Sequence, residues 1–392
     1  MSKLRVGILF GGRSGEHEIS LLSAASVFNA IDKSKYDVVP IGITKEGHWV
    51  TSANAERLLR GEFEHGQEKH LRAGDPDATP SAAVLARGEA ILVPPEPQPR
   101  GSALPALQTE ASEAVVRPSH AIEVDVVFPV LHGTFGEDGT IQGLLELADM
   151  AYVGAGVLGS AAGMDKDVMK SLFRAAGLPI VKHVTILRSE WEKQPKKAEK
   201  LVETKLKYPV FVKPANLGSS VGISKARDRA ELEKALALAA QFDRKIIVER
   251  GINGREFECS VLGNEMPEAS LACEILPSRD FYDYEDKYLL DQAKFDLPAK
   301  LEPEQMTELR RLAVECYRAV ECEGMARVDF LLEAATGQLY INEINTIPGF
   351  TSISMYPKMW EQTGLPYPKL IDRLIELALE RHAVKKATRF TR

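Results

Sequence analysis

The stretch 325–350, MARVDFLLEAATGQLYINEINTIPGF, constrains this chain more than any other. Two β-like runs flank a turn around Ala335-Thr336-Gly337. Strand side chains alternate between faces, so Val328, Phe330 and Leu332 form an apolar face while Arg327 and Asp329 share the other. Glu343 and Asn345 likewise share a face of the second run. A hairpin centred near Thr336 sets Asp329 opposite Glu343 and Arg327 opposite Asn345. A slip of one residue would split these groups across the sheet. Two carboxylates and an amide oxygen then converge, a hard-oxygen set suited to Mg²⁺, which completes its shell with water and phosphate. The competing reading is a charged, solvent-facing sheet in which Arg327 merely neutralises Asp329. The metal reading is preferred because Asn345 runs straight into an irregular Thr-Ile-Pro-Gly loop, and sites are commonly built where strands feed such loops.

The start of the chain points to a different layer. Residues 4–10 (LRVGILF) are an apolar run ending in Gly11-Gly12, a helical pattern follows from about 18 to 31, and VVPIGI occupies 38–43. That β-loop-α-β order opens a parallel sheet with helices on its faces. VDVVFPVL (124–131) reads as another buried strand, followed by a Gly-rich loop and a helix over 141–149. An insertion at about 51–120 interrupts this layer; within it 73–82 and 94–120 read as surface loop, with a possible strand at 89–93. Further on, 160–177 is helical and stops at Gly177-Leu178-Pro179. Strands are expected at 208–214, 246–250 and 256–263, and helices at 228–241 and 303–321. The fold class is therefore α/β and α+β: an N-terminal open parallel layer, then mostly antiparallel sheets.

Composition removes several alternatives. At about 150 residues per domain, 392 residues suggest two or three domains. The expected division is 1–160, 161–255 and 256–392. Net charge is −7, from 49 Lys and Arg against 56 Asp and Glu. A nucleic-acid partner would normally require a basic footprint, and the positive charge here is scattered apart from a tail (Lys385, Lys386, Arg389, Arg392) that reads as solvated fray. No apolar run reaches the ~18 residues that span a bilayer, and no signal peptide is evident, so neither a membrane nor a nucleic acid is expected as partner. The four cysteines (Cys259, Cys273, Cys316, Cys322) form no C-x-x-C pair and are expected reduced and buried or half-buried, as in a cytoplasmic protein.

Four further segments carry candidate chemistry. In KPANLGSSVGISK (213–225), Lys213 ends a strand and small residues follow whose N–H groups can approach phosphate oxygens. The Walker A spacing is absent, and an ordinary flexible turn is the alternative. FGGRSGEHEIS (10–20) is a Gly-rich turn at a helix start, which favours an anion. Glu18 there complements the helix dipole, whereas Glu16 lies in the loop proper and can bind an amine. The G-x-G-x-x-G fingerprint is not met, so a dinucleotide site is not expected. In LHGTFGEDGTIQG (131–143), His132 follows a buried strand at its carboxyl end, where α/β proteins place ligands. FYDYEDKY (281–288) suits a gripping polar loop, or equally an exposed turn.

Taken together, GGRSGEHEIS, LHGTFGEDGTIQG, MDK at 164–166, KPANLGSSVG, FYDYEDKY and NEINTIPGFTSISM resemble the D-alanine–D-alanine ligases of the ATP-grasp superfamily. The resemblance covers nearly the whole chain, in order, outside 51–120. It implies a two-part ATP-grasp fold over 161–255 and 256–392, with ATP as co-substrate. By this resemblance Lys166 and Lys213 hold ATP phosphates, with Ser220 in the phosphate loop. Glu249, Ile252 and Glu256 line the adenine and ribose pocket. Phe281 packs on adenine and Lys287 reaches the phosphates. Asp329, Glu343 and Asn345 hold two Mg²⁺ or Mn²⁺. Glu16 takes the ammonium of the first D-alanine, and His132 sits beside it. Arg327 and the Gly349 N–H face the oxyanion, while Ser354 and Met355 contact the second D-alanine. Ser219 and Tyr288, linked to Glu16, close a loop over the site. The family is usually dimeric.

The chain departs from the family pattern in two places. Arg250-Gly251-Ile252 stands where Lys-Trp-Leu is usual, and Met355 stands where leucine is common. The former contacts are largely made by backbone, so ATP binding is expected to survive. The implied activity is ATP-dependent formation of D-alanyl-D-alanine through an acyl phosphate, for peptidoglycan precursors. The proton acceptor for the second amine stays open among a substrate phosphate, His132 and the Ser219–Tyr288 pair. A D-lactate or D-serine ligase on the same scaffold is the main alternative, and Tyr288 weighs against D-lactate. An oxidoreductase and a non-catalytic ATP-binding module are the readings from other classes.

Overall fold

The computed structural model describes residues 3–59, 124–218, 221–276, 294–351 and 353–389. These fall into two compact units, one comprising Met1–Val157, Ile347–Glu361 and Leu365–Arg392, the other Leu158–Thr346 with Gln362–Gly364. The sequence suggested three segments with everything after 256 in the last. By contacts, most of 347–392 groups with the first unit, on whose sheet helix Tyr367–Lys386 packs.

The first unit is built on five strands: β1 (Leu4–Gly11), β2 (Tyr36–Ile43), β3 (Trp49–Thr51), β4 (Val126–Pro129) and β5 (Ala151–Tyr152), in the order β3-β2-β1-β4-β5. Pairing is parallel except for β3, which runs antiparallel to β2. Helix His17–Ala30 makes the β1-to-β2 crossover, as the apolar spacing predicted. Leu9, Ile41, Val127, Leu131 and Leu145 form part of one buried core beneath the sheet. Helix Tyr367–Lys386 is tied down by Arg381, whose guanidinium donates to the carbonyls of Tyr152 and Gly154.

The sequence reading named no helix at the start of the 51–120 insertion. Ser52–Leu59 is one, with Ala55 and Leu58 buried against the sheet. An apolar helical face was present there, masked by the Pro-rich composition downstream. The possible strand at 89–93 lies outside the described residues.

The second unit contains two sheets. β6 (His183–Leu187), β7 (Val210–Pro214), β8 (Ser224–Ala226) and β9 (Lys245–Arg250) form an antiparallel sheet in the order β6-β9-β7-β8. Val202, Val212, Leu232, Leu236 and Val248 fill the core between it and helices Pro195–Lys205 and Arg229–Ala239. The second sheet is also antiparallel. It comprises β10 (Gly254–Gly263), β11 (Glu268–Ala269), β12 (Cys273–Leu276), β13 (Lys294–Asp296), β14 (Gly324–Glu333) and β15 (Leu339–Asn345). Its order is β13-β12-β10-β14-β15, with β11 paired to β10. Helix Pro303–Ala319 covers its apolar face.

The helical stretch expected over 160–177 is two helices, Val157–Met164 and Lys166–Ala175. Asp165 breaks it by capping the second helix, its carboxylate accepting from the N–H groups of Asp167 and Val168. All four cysteines are buried and free, as expected. No described helix is long and apolar enough to cross a membrane.

Two glycines test how tightly this backbone is packed. Gly11 has φ +90°, and a Cβ there would lie 2.1 Å from the Ile43 carbonyl oxygen, which is not free to move because it accepts from Gly12 N at 2.8 Å. Gly177 has φ +73° at the end of its helix, with open space where a Cβ would go. Gly177→Ala is expected to lose only the left-handed penalty of about 1–2 kcal/mol. Gly11→Ala adds a collision with fixed backbone and is expected to lose at least about 3 kcal/mol. Urea unfolding of both variants measures this, and equal losses would rule out the collision.

Candidate functional site

In the second unit the β14–β15 register is the one the sequence required: Asp329 pairs with Glu343 and Arg327 with Asn345. It is reached through a bulge. Phe330 pairs with Ile341, so Asn342 is an extra residue on β15 between two paired positions. The extra residue lets Ile341 and Ile344, three apart, both be buried. Without it Glu343 would turn to the opposite face from Asp329. β10 extends the row, with Glu258 paired to Asp329 and Ser260 to Arg327. Three carboxylates, Glu258, Asp329 and Glu343, thus stand side by side on neighbouring strands.

Arg327 holds this row together. Its Nε and Nη2 donate to the two Asp329 oxygens, each at 2.7 Å, and Nε lies 3.3 Å from Glu258 Oε1. Burial works against its charge, but Asp329 and Glu258 more than restore it, and its pKa rises. Lys166 Nζ lies 3.3 Å from Glu343 Oε2 and donates to the Leu217 carbonyl at 2.8 Å, at the mouth of the Gly/Ser loop.

Beside the row lies a buried ionic cluster. Glu249, on β9, is 3% exposed. Lys213 Nζ lies 2.7 Å from its Oε2 and Lys170 Nζ 3.0 Å from its Oε1. Burial alone would raise this carboxyl, but the two ammoniums outweigh it and hold the pKa down at about 2. Lys213 is also buried, yet the Glu249 and Glu343 charges raise it, whereas burial lowers Lys170 despite Glu249. Both lysines also reach the bulge: Lys170 donates to the Asn342 carbonyl at 2.8 Å and Lys213 to its Oδ1 at 3.3 Å.

Sequence reasoning missed Lys170, Asn342 and Glu258. A signal existed for Lys170, which stands one helical turn after Lys166 among the buried Met169 and Phe173. Nothing in one sequence marked Asn342 as a bulge. Ile252 and Glu256 lie in the β9–β10 turn and on β10, both half-buried. Ser219, Ser220, Phe281, Lys287 and Tyr288 lie outside the described residues.

In the first unit, Glu16 immediately precedes helix His17–Ala30 and is 8% exposed. A Cβ on Gly133 would lie 2.6 Å from Glu16 Oε2, so the carboxylate rests directly on the 131–143 loop. The Gly133 N–H donates to Glu137 Oε2 at 2.8 Å, which shapes that loop from within. His132 is buried, with Nε2 2.9 Å from Ser23 Oγ and Nδ1 3.2 Å from the Ile347 carbonyl. Burial depresses its pKa, against the pull of Glu16 and Ile347. Both ring nitrogens are engaged, which counts against His132 as the proton acceptor. Ser354 stands before helix Met355–Thr363 and accepts from Thr351 N at 3.0 Å, while Gly349 lies against its hydroxyl. Met355 is buried.

Among the described residues, no group of three or more His, Cys, Asp and Glu is drawn together so as to hold a metal ion. Asp329, Glu343 and Asn345 nevertheless fit a cation that takes few protein ligands and completes its shell with phosphate and water. They offer oxygen donors at two paired positions that follow one another on the same face, two residues apart along each strand.

An α/β chain with buried lysines beside a row of carboxylates is built to manage phosphate charge, as an ATP-dependent ligase must. Comparison with known proteins makes this specific. Residues 172–376 match the family model "D-ala D-ala ligase C-terminus" and 5–155 match "D-ala D-ala ligase N-terminus". The D-alanine--D-alanine ligase of Solibacter usitatus is 54% identical over 392 residues, covering 100% of both chains, the 51–120 segment included. Among solved structures, VanG D-Ala:D-Ser ligase from Enterococcus faecalis is 37% identical, with TM-score 0.78, 96% of this chain and 100% of that one covered. The D-alanine-D-alanine ligase from Coxiella burnetii is 35% identical, with TM-score 0.76, 98% and 97% covered. The chain belongs to the D-alanine–D-alanine ligase family, and its fold is the ATP-grasp α/β arrangement.

Replacing Glu249 by its neutral isostere tests the ionic cluster. Glu249→Gln leaves two buried ammoniums without their carboxylate and is expected to cost about 3–5 kcal/mol. In the parent chain the carboxyl titrates below its ordinary value of 4.5, at about 2. Its contribution is therefore complete above the ordinary value and is lost as pH falls through the folded one. Urea midpoints between pH 5 and about 2 should fall more steeply for the parent than for Glu249→Gln; parallel profiles would show that Glu249 is not held ionised by the lysines.

Proposed function

We propose that this chain joins two D-alanines into D-alanyl-D-alanine, with conversion of ATP to ADP and phosphate, for peptidoglycan precursor synthesis. The observation that carries the reading is the face shared by Asp329, Glu343 and Asn345, with Arg327 and Lys166 against it, in a chain of this family. Segments 161–255 and 256–392 contribute the two ATP-grasp subdomains. The enzyme is cytoplasmic and acts as a homodimer.

The first D-alanine's carboxylate attacks the ATP γ-phosphate and forms an acyl phosphate. The second D-alanine's amine then attacks the acyl carbon and releases phosphate. The first step brings two anions together and the second develops an oxyanion, so positive charge must already be in place. Lys166 and Lys213 supply it for the phosphates, with Ser220 and Lys287. Glu249 keeps Lys213 charged despite burial, so adenine contacts at 249–252 fall to the backbone. Ile252, Glu256 and Phe281 complete the nucleotide pocket. Asp329, Glu343 and Asn345 hold two Mg²⁺ or Mn²⁺, which neutralise phosphate charge when bound. Arg327 and the Gly349 N–H stabilise the oxyanion.

Glu16 binds the first ammonium, with His132 beside it. Ser354 and Met355, at a helix N-terminus, suit the second substrate's carboxylate. Ser219 and Tyr288 close the loop, excluding water that would hydrolyse the acyl phosphate. Tyr288 favours a second amine over D-lactate. D-serine is the alternative to test, given the likeness to a D-Ala:D-Ser ligase and the difficulty of rejecting one added hydroxyl.

The test is phosphate release by purified protein with Mg-ATP and D-alanine, with D-serine and D-lactate as competing second substrates and products identified by mass. D-alanyl-D-alanine stoichiometric with phosphate is expected, with little depsipeptide. A dominant mixed product would change the second substrate, and folded protein without phosphate release would refute the activity. EDTA is expected to abolish turnover, with Mg²⁺ or Mn²⁺ restoring it; full activity in EDTA would remove the metal role.

A further inference from the structure

We propose that Ser23 and His132 form a brace that positions the Gly349 N–H, with Ser23 as a positioning residue for the reaction. This rests on the reading that Gly349 faces the oxyanion. Ser23 is fully buried on helix His17–Ala30, one turn after Ser20. Ser20 already ties that helix to the sheet, accepting from Gly11 N and donating to the Val130 carbonyl. Ser23 extends the same face to the 347–350 loop. Its Oγ accepts from Phe350 N at 3.3 Å and lies 2.9 Å from His132 Nε2.

The direction of each hydrogen bond follows from chemistry. The Ile347 carbonyl can only accept, so the proton sits on His132 Nδ1. A buried ring favours the neutral form, so Nε2 accepts the Ser23 hydroxyl proton. A continuous series then runs from Phe350 N to Ser23, to His132, to the Ile347 carbonyl. It holds the chain on both sides of Pro348-Gly349. Pro348 has its φ fixed by its ring, so clamping residues 347 and 350 leaves the Gly349 N–H little room to swing.

Phe350 has independent anchors. Its carbonyl accepts from Tyr367 Oη at 3.1 Å, and its ring meets Phe128 edge-on at 5.7 Å. Loss of the Ser23 hydroxyl should therefore loosen the loop's orientation without unfolding it.

Ser23→Ala is expected to lower kcat about 10-fold or more, with KM for ATP and D-alanine within about 3-fold of the parent. Ser23→Thr keeps the hydroxyl and is expected to recover most of the rate. In ¹⁵N-labelled parent protein, His132 should carry its proton on Nδ1 at neutral pH. The Gly349 amide resonance should move in Ser23→Ala more than in Ser23→Thr. Unchanged kcat in Ser23→Ala, an effect confined to KM, or a proton on Nε2 would each overturn the brace. If the parent makes no dipeptide, the proposed function fails, while the His132 tautomer and the Gly349 resonance still decide the brace. Should Ser23→Ala not fold, the tautomer in the parent decides it.

Discussion

The buried pairing of Glu249 with Lys170 and Lys213 is the interaction on which the order of the second unit's carboxylate row depends. The phosphate role proposed for Lys213 requires a charged lysine, and burial opposes that. One carboxylate between two ammoniums resolves the conflict for Lys213, while Lys170 remains the depressed partner. The same lysines then reach Asn342, the residue that sets the orientation of Glu343. Charge maintenance and carboxylate placement are thus one connected structure, spanning β9, the helix from Lys166 to Ala175, and β15.

The bulge shows how much a single inserted residue can decide. Ile341 and Ile344 both belong to the core, and a regular strand cannot bury both. Asn342 absorbs the mismatch, and its polar groups answer to lysines rather than to β14. Arg327 completes the arrangement by clasping Asp329 with both arms of its fork, which offsets the repulsion among three neighbouring carboxylates. In the first unit, helix His17–Ala30 is ordered by neutral groups. Serines one helical turn apart stitch a helix to strand ends and loops, and a neutral histidine bridges to the backbone.

The sequence made the parallel layer, the antiparallel strands and the Asp329–Glu343 pairing legible, because alternation and helical spacing are local and survive without tertiary information. It also carried the six motifs by which the family is recognised. Where reading failed, competing local signals were present. Composition masked the helix Ser52–Leu59, and apolar continuity hid the cap at Asp165.

What only the tertiary structure decided is of another kind. Lys170 and Glu249 are far apart in the chain, and no local pattern announces that they share a buried ion pair. Ser23, His132 and Ile347 are joined across more than three hundred residues. The grouping of 347–392 with the first unit likewise depends on where the last helix finds its apolar partner. Alternation tells which face a side chain takes, but burial and charge pairing arise between distant segments. These set the direction in which Lys213, Lys170 and His132 are each shifted.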